Sequence, residues 1–376
     1  MKITVVQPSE FGPSELDRWR SMQRSTPSFA NPFLSPEFTI AVGRLRHQAR
    51  VAVLFDGKDI VGFFPFERRG LGYGVPIGAW HSDCQGMVHE VGLEWDPQEL
   101  MRACGLAIWE FNHLVDGQRS FEPYEILRFE SPIMDLSKGF DPFFAKLREN
   151  SSRFRAISRK QRKLSREIGD LRFVFDACDG ESLRKVMEWK SAQYIRMGWP
   201  DRFARPWIVE LLKDLLDTRT EGFCGIVSML YAGDEPVAGH FGLRSDHVMA
   251  HWFPAYNTRF SSYSPGLIMH LKLAEGASAA SVQHIDMGPG PEAYKQWFRS
   301  RDLTVAKGRI VRRSPTGALH WVRRVSSERV HEVVSGHQSL YRAAQWVRTG
   351  CAHVSTSLRR DGHSGSEPKF RAVARG

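Results

Sequence analysis

The sequence predicts an α/β protein with a mixed sheet, built from two related halves. The first observation is the order of segments between residues 180 and 311, which is α-α-β-β-β-α-β-α-β. The second is a hairpin pattern present in both halves. The third is a helix start at Ser264-Pro265-Gly266, where serine suits the N-cap and proline the first helical position.

The hairpin pattern is similar in the two halves. RVAVLF, the turn DGKD and IVGFFPF form one copy, and GIVSMLY, the turn AGDEP and VAGHFGL form the other. Each copy joins two apolar strands through a Gly/Asp turn, which is typical of a β-hairpin. This internal similarity predicts two domains of related architecture.

The remaining segments of the second half follow from start and stop signals. We predict helices over 180–197 and 205–216, a strand over 247–254, and a helix that begins at Pro265 and ends at Gly276. A strand over 282–287, a short helix over 291–300 and a strand over 303–311 complete the order.

A basic segment separates the halves. The chain carries a formal charge of +10, and residues 148–172 contain much of the excess of Lys and Arg. Apolar residues recur there at helical spacing, which predicts an amphipathic helix capped near Asn150, Ser151 or Ser152 and ended by Gly169-Asp170. Its charge fits nucleic acid, an acidic membrane surface, a polyphosphate ligand or simply a solvated helix face.

These patterns give four segments. We predict a first domain over 1–147, a connecting helix over 148–170, a second domain over 171–325 and a basic tail over 326–376. The tail contains one amphipathic stretch, which fits a peripheral membrane contact, before a disordered composition.

Composition excludes several classes. Five widely spaced cysteines lack the C-x-x-C spacing of a zinc or redox site, so we expect no metal. The amino-terminal residues lack the pattern of a signal peptide, and no apolar run is long enough for a membrane span. We therefore expect a cytoplasmic location.

Specific residues carry a family resemblance. Trp252-Phe253-Pro254-Ala255-Tyr256, Ser264-Pro265-Gly266, Asp286-Met287-Gly288-x-Gly290 and Tyr294-Lys295 stand in that order. With the order of segments, they resemble the Gcn5-related N-acetyltransferase (GNAT) superfamily, in its branch of CelD-like and Fem-type tandem acyltransferases. The resemblance implies two tandem GNAT-like domains. The first lacks counterparts to the serine-proline-glycine and tyrosine-lysine motifs, which predicts a degenerate copy.

The resemblance implies a donor site at the start of the central helix. Acyl-CoA, with acetyl-CoA first, would be the co-substrate, and its pyrophosphate would lie on backbone amides there. We assign Tyr263, Ser264, Gly266 and Tyr256 to this site. The usual Q/R-x-x-G-x-G/A loop of the fold is absent, so coenzyme A is implied by the resemblance alone.

The same resemblance implies catalytic residues. Tyr294 occupies the place of a tyrosine that protonates the departing thiolate, and a phenol suits that proton transfer. Lys295 beside it would hold a phosphate or carboxylate, or be a solvated lysine. Asp286 is one choice for general base, with Glu292 and His240 as rivals. Asp286 could instead cap its own glycine loop.

The acceptor side is predicted on the first helix of the second half. Trp189, Lys190 and Tyr194 combine aromatic and cationic groups, which suit a sugar or sugar-phosphate acceptor; an ordinary core position is the alternative for Trp189. His240 is placed with this group, although a strand histidine is often simply packed.

Three functions fit these residues. The preferred one is acyl transfer from acyl-CoA to an amine or hydroxyl of a sugar or of a cell-envelope or exopolysaccharide precursor such as one for cellulose. A Fem-type enzyme that uses aminoacyl-tRNA would place the tRNA on the basic helix. A non-catalytic binding module of polysaccharide synthesis is the third.

Overall fold

The computed structural model describes residues 1–149 and 152–318. The strands are β1 (Lys2–Val6), β2 (Ala49–Asp56), β3 (Asp59–Arg69), β4 (Tyr73–Pro76), β5 (Val88–His89), β6 (Ile108–Val115), β7 (Glu125–Asp135), β8 (Leu171–Val174), β9 (Arg219–Thr220), β10 (Phe223–Ala232), β11 (Glu235–Arg244), β12 (Val248–Tyr256), β13 (His284–Asp286) and β14 (Arg301–Val311). The helices are α1 (Pro13–Ser25), α2 (Pro36–Leu45), α3 (Pro97–Ala103), α4 (Phe140–Glu149), α5 (Ser152–Glu167), α6 (Gly180–Arg196), α7 (Pro206–Asp217), α8 (Pro265–Ala279) and α9 (Ala293–Phe298).

All these strands join one mixed sheet that runs through both halves. Its order is β1-β2-β3-β4-β6-β14-β7-β13-β12-β11-β10-β8, with β5 beside β3 and β9 beside β10. The pairs β4–β6 and β12–β13 are parallel and the other pairs are antiparallel. The predicted α/β class with a mixed sheet is confirmed.

The two halves exchange their last strands. β7 comes from the first half of the chain but pairs with β13, through Met134 opposite Ile285. β14 comes from the second half but pairs with β6, through Val305 opposite Val115. β7 and β14 also pair with each other. The boundaries predicted at 147 and 170 therefore divide the chain without dividing the sheet.

An apolar core spans the two halves on one side of the sheet. Trp19, Phe33 and Phe38 of the first half are buried in the same cluster as Leu211 and Trp252 of the second. The rings of Phe33 and Trp252 meet edge to face, with centroids 5.0 Å apart. This shared burial stabilises the two halves as one body.

Most of the predicted segments are present. Both hairpins form, as β2–β3 and β10–β11. Helix α8 begins at Pro265 as predicted but continues past Gly276 to Ala279, so the predicted stop is wrong. A Cβ at position 276 would lie 2.6 Å from Cδ2 of Phe175. Close packing against that ring therefore explains the glycine.

The basic helix α5 packs as an amphipathic helix. Phe154, Ile157 and Leu164 of the predicted apolar spacing are buried. Ile168, which belongs to the same predicted spacing, lies beyond the helix and is 38% exposed. Asn150 and Ser151, two predicted caps, fall outside the described residues, as does the predicted tail over 326–376.

The described residues contain neither a membrane-spanning helix nor a metal-binding group of side chains. None of the helices there is long and apolar enough to cross a membrane. No group of three or more His, Cys, Asp or Glu side chains in these residues could hold a metal ion.

Candidate active site

The candidate active site lies where β12 and β13 separate. The two strands pair only from Val248 opposite His284 to Ala250 opposite Asp286. β12 then continues to Tyr256, while the chain after β13 turns away into a loop. β13 is shorter than the predicted strand over 282–287, and the divergence from β12 ends it at Asp286. The divergence opens a cleft of about 380 Å³ between β12, α6, α9 and the start of α8.

A glycine loop directs α9 into the cleft. Gly288 has a φ of 68°, a left-handed conformation that glycine adopts without strain. Gly290 has a φ of 154°, which also favours glycine, and a Cβ there would lie 2.8 Å from the Lys295 ammonium nitrogen, so that this side chain would have to shift. The loop places Glu292, Tyr294 and Lys295 together on the cleft wall.

Lys295 is held in place by this loop. Its side chain is buried, donates a hydrogen bond of 3.0 Å to the Pro289 carbonyl and lies 3.1 Å from Oε2 of Glu292. Because these partners orient the ammonium group and Glu292 balances its charge, Lys295 fixes the loop conformation at the cleft wall.

Tyr294 stands against a buried imidazole. Its ring stacks on that of His270, with centroids 4.5 Å apart and an interplanar angle of 20°. Burial raises the pKa of the Tyr294 phenol well above its usual range, and the carboxylates of Glu292 and Asp83 raise the pKa further. The phenol is therefore protonated at neutral pH, as a general acid must be.

Behind Tyr294 lies a cluster of three histidines, His240, His251 and His270, which we call the histidine cluster. His240 and His251 stack with centroids 4.5 Å apart, and Nε2 of His251 is 3.2 Å from Nδ1 of His270. Burial lowers the pKa of His240 and of His270 to about 3. His251 and His270 line the cleft, whereas His240 does not, so its predicted role facing the substrate gains no support from this placement.

Asp286 lies beneath the cleft and does not line it. Its Oδ1 accepts hydrogen bonds of 2.9 Å from the Ser131 hydroxyl and the Gly288 amide, and its Oδ2 accepts one of 2.8 Å from the Asn31 side chain. Burial raises the pKa of this carboxyl, although the hydrogen bonds oppose that shift. The geometry favours the predicted loop-capping role over a general base.

Substituting Asp286 tests this structural role. Asp286→Asn should lower the free energy of unfolding by about 2–3 kcal/mol, because the new amide NH₂ opposes the donor of Asn31 or Ser131. Urea unfolding at neutral pH measures this change. Ser131→Ala removes one partner only and should cost about 1 kcal/mol. Unchanged stability of Asp286→Asn with a large loss of activity would instead indicate a catalytic carboxylate.

The start of α8 forms the other end of the cleft. Ser264, Gly266 and Tyr256 line it, and a Cβ at Gly266 would make an ordinary contact of 3.5 Å with the Tyr256 ring. Ser264 is the N-cap residue as predicted, but its side chain caps no amide. Its hydroxyl instead accepts a hydrogen bond of 2.6 Å from the Lys160 ammonium of α5.

Few backbone amides remain at this helix start. Pro265 has no N–H, and the amides of Leu267 and Ile268 donate to the Ser264 carbonyl. Gly266, which lines the cleft, therefore has the remaining amide of the first turn. Tyr263, which we assigned to the donor site, does not line the cleft, and its hydroxyl donates to Glu167 at 2.8 Å.

Helix α6 forms the side opposite α9. Lys190 and Tyr194 line the cleft, whereas Trp189 packs against the core and gives no wall. The Lys190 ammonium lies 5.4 Å from the Tyr194 ring centroid. Burial lowers the pKa of Lys190 to about 8, with Arg202 and Lys295 acting in the same direction and Glu292 against it.

Sequence reasoning missed several lining residues. Asp83 comes from the first half and reaches the cleft only through the fold. His251 and His270 stand inside apolar segments, HVMAHWFP and LIMHLKL. Each histidine is a polar residue within an otherwise apolar segment. That interruption was the signal in the sequence that could have indicated a buried polar site.

Comparisons with known proteins agree with this architecture. Residues 151–296 match the family model described as acetyltransferase (GNAT) domain. FemX has a TM-score of 0.55 at 11% identity, over 82% of this chain and 96% of that chain. A tandem GNAT protein from the clavulanic acid biosynthesis pathway has a TM-score of 0.46 at 10% identity, over 82% and 98%. L-PGS from Bacillus licheniformis has a TM-score of 0.48 at 12% identity, over 83% and 96%.

The comparison with curated proteins gives no match. Residues 151–296 thus match a GNAT acetyltransferase domain, and the likeness to FemX, which at this identity concerns the fold alone, extends over 82% of this chain. The CelD-like branch stays a prediction.

Proposed function

Because this chain carries a GNAT acetyltransferase domain, we propose that it transfers an acyl group from acyl-CoA to an amine or hydroxyl of a sugar or cell-envelope precursor. Acetyl-CoA is the preferred donor. The observation that carries the proposal is the position of Tyr294, a protonated phenol in the cleft opened by β12 and β13. A leaving thiolate in that cleft would meet an acid beside it.

The start of α8 suits the pyrophosphate of coenzyme A. Gly266 leaves space beside Tyr256, and Lys160 brings a positive charge to Ser264. The helix dipole adds a partial positive charge at the same point. With few free amides there, cationic side chains of α5 would supply more of the phosphate contacts than in the usual loop of the fold.

Four cleft residues receive a role in the proposed reaction. The acceptor nitrogen or oxygen bonds to the acyl carbon, the carbon–sulfur bond breaks, and Tyr294 gives its proton to the sulfur. The proton of the acceptor passes to Glu292, which lines the cleft where Asp286 does not. Lys190 and Tyr194 would orient the acceptor on the opposite wall.

Calorimetric titration with acetyl-CoA and octanoyl-CoA tests the donor. Gly266→Glu should weaken binding by about 100-fold or more, because a carboxylate next to the pyrophosphate site repels it in a partly desolvated cleft. Gly266→Ala is the matched control, since its Cβ would only touch Tyr256 at 3.5 Å, and binding should stay within a few-fold.

Lack of binding by either thioester would contradict the proposal. The aminoacyl-tRNA alternative would then gain weight, because α5 exposes Arg155, Arg159, Arg162, Lys163 and Arg166 on one face. Donor affinity that falls steeply with salt would support that alternative, since each phosphate contact releases counterions.

A further inference from the structure

A second pocket lies between the two halves of the chain, next to the cleft. Its volume is about 510 Å³. Four arginines converge on it, two from each half, and aromatic side chains form much of the remaining wall. We call it the arginine pocket, and its defining residues are Arg46, Arg69, Arg202, Arg205, Trp80, His81, Trp199 and Trp207.

The arginine pocket has an excess of positive charge. Oε2 of Glu67 accepts a hydrogen bond of 2.7 Å from Arg46 and lies 3.9 Å from Arg69. Among the described residues, Arg202 and Arg205 have no ion-pair partner. The pocket therefore keeps two guanidinium groups that form no ion pair with the part of the chain that the structure describes.

The acidic residue of the wall is already engaged. Oδ1 of Asp201 accepts a hydrogen bond of 3.0 Å from the Phe203 amide, and its Oδ2 accepts one of 2.5 Å from the Ser191 hydroxyl. This carboxylate fixes the turn between α6 and α7 rather than pairing with an arginine. An anion from solution is the natural complement of such a pocket.

A buried histidine supplies an independent indication. His81 lines the pocket at 7% exposure, and its Nδ1 has no hydrogen-bond partner within the described residues. Burial lowers the pKa of His81 to about 3, and the charges of Arg202, Arg205 and Arg46 act in the same direction. A neutral imidazole with a free nitrogen is able to donate to or accept from a bound ligand.

Exposed tryptophans frame the pocket. Trp80 is 38% exposed and Trp199 is 48% exposed, one from each half. Below them, the Arg46 guanidinium lies 4.8 Å from the ring centroid of Trp207. Flat aromatic faces at the rim of a polar pocket suit the apolar C–H face of a sugar ring, which they would remove from water.

The arginine pocket is continuous with the cleft. Tyr194, Trp199 and Arg202 line both. A ligand anchored by its anionic group among the arginines is therefore able to extend past Tyr194 toward the wall that carries Tyr294. The same ligand would not occupy the donor end, because that end lies at the start of α8.

We propose that the arginine pocket is the acceptor site and that the acceptor is a phosphorylated sugar. Its phosphate lies among Arg46, Arg202 and Arg205, its ring lies against Trp80 and Trp199, and its amine or hydroxyl points into the cleft. This inference rests on the proposed acyl transfer and specifies its acceptor class.

Calorimetry on the full chain, without any thioester, tests the pocket by itself. The ligands are inorganic phosphate, glucosamine phosphate and the uncharged methyl glucoside. We expect the sugar phosphate to bind most tightly and the uncharged sugar least. Arg205→Gln should weaken binding of both phosphates by about 10-fold or more, because a charge-assisted hydrogen bond is lost.

Two further variants separate charge from stacking. Trp80→Ala should weaken the sugar phosphate and leave inorganic phosphate unchanged, since the ring contacts the sugar alone. Arg102→Gln removes an exposed arginine of α3 outside the pocket and is the matched control that should bind like the parent chain.

Three results would overturn the inference: no binding of either phosphate, equal affinity for methyl glucoside and the sugar phosphate, or binding insensitive to Arg205→Gln. Failure of the proposed function gives a different result. A chain that binds glucosamine phosphate through Arg205 but binds no thioester would support the pocket and contradict acyl-CoA as donor.

Discussion

Replacing Tyr294 with phenylalanine is expected to lower kcat by about 100- to 1,000-fold, the usual contribution of a positioned general acid. The phenylalanine ring keeps the stacking on His270 and loses only the hydroxyl. Donor affinity should therefore change little, because the hydroxyl acts on the leaving thiolate in the transition state and not on the bound donor.

Steady-state kinetics with acetyl-CoA, alongside calorimetric Kd values, measures both quantities. Tyr263→Phe is the matched control, since its hydroxyl contacts Glu167 and its side chain does not line the cleft. An unchanged kcat in Tyr294→Phe would remove the acid from the mechanism, and full function of that variant would support a binding module.

The second large effect concerns acid stability. In the folded chain His240 and His270 have a pKa of about 3, and the pKa of His251 is well below its usual value, all chiefly through burial. In the unfolded chain each titrates near about 6.5. Below about pH 6.5 the unfolded state binds more protons than the folded state, so the free energy of unfolding falls as the pH is lowered. The contribution of these neutral histidines to stability is fully present only above about pH 6.5.

The expected loss is large. At pH 5 each of the three histidines should cost about 2 kcal/mol relative to neutral pH, at 1.4 kcal/mol for each pH unit and each proton. Against a typical total of about 5–15 kcal/mol, this brings the protein close to unfolding. Urea unfolding at pH 7, 6 and 5 measures the slope.

A single variant tests whether the histidine cluster causes this slope. His240→Phe keeps the ring contact with His251, removes one titrating group, and should therefore reduce the slope of unfolding free energy by about one proton. Any cost of packing the larger phenylalanine ring is the same at every pH, so it does not change how steeply the free energy of unfolding depends on pH. His47→Gln, at an exposed position before β2, is the control. An unaltered slope in His240→Phe would show that other groups cause the acid loss.

Local features of the fold were predictable from sequence because neighbouring residues determine them. The turns DGKD and AGDEP set the two hairpins, and Pro265 set the start of α8. The exchange of β7 and β14 was not predictable. Either strand has the apolar pattern to pair with several neighbours, and the choice depends on contacts between residues more than 150 positions apart, such as Ser131 with Asp286.

The site divides in the same way. Tyr294, Lys295, Lys190 and Tyr194 were predicted from a motif or a helix and do line one cleft. Asp83 could not be predicted, since it reaches that cleft from the other half of the chain. Asp286 shows the opposite case. Its position in a motif suggested a catalytic role, but its carboxylate accepts hydrogen bonds from Asn31, Ser131 and the Gly288 amide and so supports the fold.

The exchanged strands bear on how this protein could be divided or recombined. A fragment cut to residues 151–296 would keep the family-matched segment but lack both β7 and β14. β13 would then expose an unpaired edge, and Asp286 would lose Ser131 and Asn31. The first half thus holds the glycine loop of the second half in place through β7 and Asn31. Grafting the second half alone onto another protein would transfer the cleft residues without the strand that supports them.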